Sequence, residues 1–132
     1  MKRLLAATVI ASAFFAAGCS SRDRSVSVDD LRKANAPYYY VGSSFESLEL
    51  SHVQRYRDGE ADILYGTCHV TGSEGGCSLP LALQHRLCHG IVTVSIFANK
   101  GRARRAATAL RPLSKGARKQ TPYVVFDRGV SC

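Results

Sequence analysis

The chain has 132 residues, of which 45% are apolar, 21% charged and 8% aromatic. That length and balance fit one small globular domain and exclude collagen-like, low-complexity and multi-span membrane chains. The formal charge is +8, and its placement is uneven: residues 20–99 hold seven Lys/Arg and nine Asp/Glu, residues 100–119 hold eight Lys/Arg and no acid, and residues 120–132 are neutral.

Met1-Lys2-Arg3 is a basic start, and residues 4–18 form an uncharged, mostly apolar run of 15 residues. A membrane-spanning helix needs about 20 residues, so the run reads as the apolar region of an export signal. It ends in Ala16-Ala17-Gly18-Cys19. This resembles the lipobox of bacterial lipoprotein precursors, which most often have Leu where this chain has Ala16. The resemblance implies removal of residues 1–18, lipid on the Cys19 sulfur, and a mature chain anchored to the extracytoplasmic face of the cell membrane. Two acyl chains suffice for stable anchoring. The alternative is an ordinary signal peptide cut after an alanine, with Cys19 unmodified.

Residues 19–37 are polar and read as a tether. Within them Ser27-Val28-Asp29-Asp30 has the spacing of a helix cap. That spacing predicts two turns over 28–34, ended by Pro37, because the residue before a proline avoids the α region. A single domain is expected over 38–132. It opens with a β-prone run, Tyr38-Tyr39-Tyr40-Val41, closed by Gly42. Residues 43–49 look like a loop. Asp58-Gly59 then signals a two-residue hairpin. That register pairs Arg57 with Glu60 and Arg55 with Asp62 on one face. It turns Leu50, Tyr56, Ala61, Ile63 and Tyr65 to the core.

Residues 68–77 form a glycine-containing loop. Residues 79–87 alternate leucines and read as a strand, with Pro80 confining its start to a strand end. Residues 91–97 are rich in β-branched side chains and read as a central strand. Over 101–113 the period changes: Ala103, Ala106, Ala107 and Leu110 recur at helical spacing, with Pro112 and Gly116 marking the end. Residues 123–126 form a last strand. The order predicts an α+β fold, a mostly antiparallel sheet with one Ala-rich helix packed on it.

Four cysteines follow Cys19: Cys68, Cys77, Cys88 and Cys132. An even number in an exported domain reads as two disulfides, with three connectivities open. Cys68–Cys77 with Cys88–Cys132 is preferred. The first would close a flexible loop, contributing about 2.7 kcal/mol by chain entropy, and the second would pin the C-terminus at about 4 kcal/mol. The Tyr65-Gly66-Thr67-Cys68 to Gly75-Gly76-Cys77 arrangement is similar to that of small exported bacterial proteins with no assigned function, and implies only a disulfide-closed loop.

The competing reading is a metal-binding module or small exported enzyme built from the Cys/His cluster at 68–89, drawing on His52, His69, His85 or His89. Thiolate and imidazole suit zinc, but the tight Cys-x2-Cys pairs of zinc sites are missing. No Gly-x-Ser-x-Gly elbow is present, and acids for paired-carboxylate chemistry are few. No cofactor and no catalytic residue is therefore expected. The basic stretch is the better lead, with Lys100, Arg102, Arg104, Arg105 and Arg111 as candidate anion-binding residues. An exported, tethered domain meets anionic lipid head groups or anionic wall polymers. Nucleic acid fits the charge but not the compartment.

Overall fold

The computed structural model describes residues 24–56, 58–71, 76–130 and 132. Cys19 and the export segment lie outside the described residues. A two-residue strand, β1 (Arg24–Ser25), leads into helix α1 (Val28–Arg32). Ser27 caps α1 as its spacing predicts. The Ser27 hydroxyl accepts from the Asp30 N–H at 3.2 Å, and the Asp30 carboxylate accepts from the Ser27 N–H at 3.0 Å. Leu31 on this helix is fully buried, and Ala34 joins the same core. The stretch expected as a tether thus carries core residues, and the folded body begins before residue 38. Burying Leu31 is worth about 1.5–3 kcal/mol, and Val26, Val28 and Ala36 pack against the same core.

Next come β2 (Tyr39–Tyr40), β3 (Ser44–Phe45), β4 (Leu48–Arg55) and β5 (Ala61–Tyr65). The expected loop at 43–49 is a hairpin, with Ser44 opposite Glu49 and Phe45 opposite Leu48. Its turn is Glu46-Ser47, both at positive φ, 49° and 66°, as a type I′ turn requires. Then follow β6 (His69–Thr71), β7 (Gly76–Ser78), β8 (Leu81–Cys88) and β9 (Ile91–Ala98). The chain ends with helix α2 (Lys100–Ala109), β10 (Arg111–Pro112), a 3-10 turn (Gly116–Lys119) and β11 (Tyr123–Phe126).

Among the described residues the main sheet runs β1-β4-β5-β8-β9-β11, with β3 added against β4. Its pairs are antiparallel except β9 with β11. That one parallel pair follows from α2, which returns the chain between the two strands. The fold is α+β with a mixed sheet rather than a purely antiparallel one. One sheet face is the core: Ala61, Ile63 and Tyr65 stand beside Leu81, Leu83 and His85, then Val94 and Ile96, all at most 2% exposed. Ala103 and Ala106 of α2 belong to the same core.

The Asp58-Gly59 hairpin forms with a different register. Gly59 takes positive φ (82°). Tyr56 N–H donates to the Glu60 carbonyl at 2.9 Å, so the loop has three residues. Val53 therefore faces Ile63 and Arg55 faces Ala61. Arg55 no longer meets Asp62, and the expected partner of Glu60, Arg57, lies outside the described residues. Glu60 pairs with Arg86 at 2.8 Å instead, and Tyr56, off the core face, donates its hydroxyl proton to Asp62 at 2.8 Å. The slip buries Val53, 3% exposed, in place of a polar side chain. That outweighs two exposed ion pairs worth about 0–1 kcal/mol each. An irregularity between Leu50 and His52 then restores Leu50 opposite Tyr65.

Helix α2 starts one residue earlier than its pattern predicts, with the Asn99 side chain accepting from the Arg102 N–H at 2.9 Å. It ends at Ala109, short of residue 113, because Leu110 turns extended (ψ 131°) and Arg111 precedes a proline. Arg111 and Pro112 instead pair with Tyr40 and Tyr39.

Candidate anion-binding surface

The five cations singled out by sequence do not act as one surface. The Glu46-Ser47 turn carries a carboxylate to the flank of α2. There Glu46 Oε1 accepts from Arg105 Nε at 3.0 Å and from Arg105 Nη2 at 2.6 Å. Arg102 Nε lies 4.0 Å from Glu46 Oε2, and Arg102 Nη1 donates to the Pro80 carbonyl at 3.4 Å. One carboxylate is therefore shared by two of the five cations, closely with Arg105 and at 4.0 Å with Arg102, and offsets one charge between them. Lys100 and Arg104 are exposed and line a shallow pocket of about 280 Å³ with Ala103, Phe126 and Asp127. That pocket carries an acid of its own.

Arg111 is different. Strand β10 places it opposite Tyr40, and its guanidinium carbon lies 5.1 Å from the Tyr40 ring centroid. Arg32, from the last turn of α1, approaches the same ring at 5.6 Å. The Lys115 backbone N–H donates to the Arg32 carbonyl at 3.3 Å, which joins the segment after β10 to the end of α1. Arg111, Lys115, Arg118 and Lys119 are all exposed. Among the described residues no ion pair engages any of the four. Sequence reasoning missed Arg32, Tyr40 and Glu46. Arg32 lay in the supposed tether, and nothing local links Glu46 to an arginine 59 residues away.

Side-chain to main-chain hydrogen bonds hold the framework under this surface. Tyr65 donates its hydroxyl proton to the Gly42 carbonyl at 2.8 Å and accepts from the Val41 N–H at 3.3 Å. Burial pushes its ionisation up to about 12. The Tyr38 N–H donates to Ser114 Oγ at 2.9 Å, and that hydroxyl donates to the Ala36 carbonyl at 2.6 Å. His85 holds β2 from below. Its Nδ1 lies 3.2 Å from the Ala61 carbonyl, and its Nε2 lies 3.0 Å from the Tyr39 nitrogen. The same Nε2 lies 2.9 Å from the Tyr39 carbonyl, so both ring nitrogens are engaged by the main chain around them. Burial pulls the ring's pKa down to about 4, against the two carbonyls that favour its charged form.

Among the described residues, the Cys/His cluster at 68–89 is not brought together as a ligand set. Cys88 is bonded to Cys132, as expected, and Cys68 is also disulfide-bonded. The expected pairing with Cys77 depends on a side chain outside those described, as does His69. His85 has both nitrogens engaged, His52 is exposed on β4, and His89 sits at positive φ (51°) in the β8–β9 turn. Among the described residues no group of three or more His, Cys, Asp or Glu could hold a metal ion. Among the same residues no helix is long and apolar enough to cross a membrane. No family model matches the chain, and no curated protein and no solved structure matches it.

Proposed function

We propose that the mature chain is a lipid-anchored binding module of the cell envelope. It presents cations to an anionic surface from the extracytoplasmic side of its membrane, a binding or structural role. The observation that carries this reading is the set of exposed cations at 111–119 that no carboxylate neutralises among the described residues. Each such cation near an anionic bilayer contributes about 1 kcal/mol. The lipobox-like Ala16-Ala17-Gly18-Cys19 supplies the anchor, and the anchor holds the cations where the surface is.

Two experiments test it. The mature chain with Cys19→Ser, free of lipid, should sediment with phosphatidylglycerol vesicles and be released by salt. Equal binding to neutral phosphatidylcholine vesicles contradicts the reading. The intact mass of the protein from membranes should match residues 19–132 plus acyl chains. An unmodified Cys19 contradicts the anchor.

A further inference from the structure

Arg32 and Arg111 belong to distant parts of the chain and converge on one ring. Tyr40 is only 8% exposed, so the ring is a fixed platform rather than a mobile side chain. Arg111 has room beside it because Gly42 has no side chain. Gly42 sits at φ +107°, and a Cβ there would stand 3.0 Å from Arg111 Nη2. A guanidinium held against an aromatic ring keeps its N–H donors pointing outward along its edges. Asp29, itself highly exposed, pairs with Arg32 at 3.4 Å, and among the described residues no ion pair engages Arg111 or Lys115. Like charges gathered with so little compensation repel one another, and a bound anion relieves that repulsion. The paired donors of a guanidinium fork match the oxygens of phosphate.

We propose that Arg32 and Arg111, gathered about Tyr40, with the exposed Lys115 bonded through its backbone to Arg32, form a phosphate-binding site occupied by the phosphodiester of an anionic lipid headgroup. The choice of source rests on the membrane-surface reading above. The covalent tether favours it. Cys19 precedes β1 by five residues, a span of at most about 18 Å fully extended. Helix α1 and Arg32 follow β1 directly, so the site stays close to the bilayer that holds the anchor.

The test uses the mature chain with Cys19→Ser and two probes, glycerol phosphate in solution and phosphatidylglycerol vesicles. Amide signals of Gly42 and Leu113 should shift saturably with glycerol phosphate. Arg111→Gln should weaken that binding by about tenfold or more. Arg105→Gln removes the same charge and should weaken it by less than about twofold, because Glu46 already neutralises Arg105. Tyr40→Leu keeps every charge and should weaken binding several-fold, whereas Tyr40→Phe keeps the ring and should bind normally. Vesicle binding should follow the same order. Equal losses in Arg111→Gln and Arg105→Gln overturn the site. Vesicle binding that ignores Arg111→Gln overturns the site but leaves the membrane reading standing. Saturable glycerol phosphate binding without vesicle binding overturns the lipid source and the membrane reading together.

Discussion

On α2, Arg105 gives two donors to Glu46, whereas Arg111, further along the same basic run, lies against Tyr40 with no ion-pair partner among the described residues. Both arginines are exposed, and both stand in a stretch without a single acid. The difference is made elsewhere in the chain, by a turn at 46–47 that returns one carboxylate to the helix. Charge density along a sequence therefore overstates the cationic surface it yields. What remains for a partner is decided by which cations the fold has already paired.

The two regions also differ in what supports them, and acid should separate them most. Strand β2, which carries Tyr40, is bonded through Tyr39 to His85. The His85 pKa is depressed in the folded state, to about 4 from 6.5. Its contribution is thus fully present above pH 6.5 and is lost as pH falls towards about 4. The loss should be on the order of 3 kcal/mol. Urea denaturation at neutral pH and near pH 4 measures it, and His85→Asn should flatten the difference. An unchanged pH slope in that variant contradicts the assignment.

Gly42→Ala should have the next largest effect. Gly42 is at φ +107°, and the new Cβ would press on Arg111. A cost of about 1–2 kcal/mol in stability is expected. Affinity for anionic vesicles should fall with it, and the α2 arginines should be untouched. A stable variant with unaltered binding would show that Arg111 does not need its place over Gly42.

The smallest effect on stability should come from Glu46→Gln, under about 1 kcal/mol for a largely exposed pair. Its effect on binding should be the reverse of the others. Freeing Arg102 and Arg105 should raise affinity for anionic vesicles by about fivefold. Glu49→Gln adds the same charge at an exposed position of β4 and should raise it less. Equal gains would mean that net charge, not release of the arginines, sets the affinity.

Much of this architecture is readable from short-range patterns. The Ser27 cap, the alanine stripe at 103 and 106, and the last strand at 123–126 are local, because their signals lie within one turn or one strand. The turns were harder. The turns Glu46-Ser47 and His89-Gly90 both place a non-glycine residue at positive φ, where the tight pairing of the flanking strands overrides local preference. Asp58-Gly59 looks like a two-residue turn, but burial of Val53 against Ile63 selects the longer loop. Local sequence cannot weigh a core contact made across the sheet. The candidate site was legible only in part. Arg111 stands in the basic run, but Arg32 and Tyr40 are brought to it by pairing between β2 and β10 and by burial of Leu31, contacts that no spacing announces.

The most direct measurement compares two variants of equal net charge, Arg111→Gln and Arg105→Gln, on phosphatidylglycerol vesicles. The first should lose about fivefold in affinity. The second should lose less than about twofold, since Glu46 already holds Arg105 through two hydrogen bonds. Equal losses from the two variants would contradict the distinction between neutralised and presented cations.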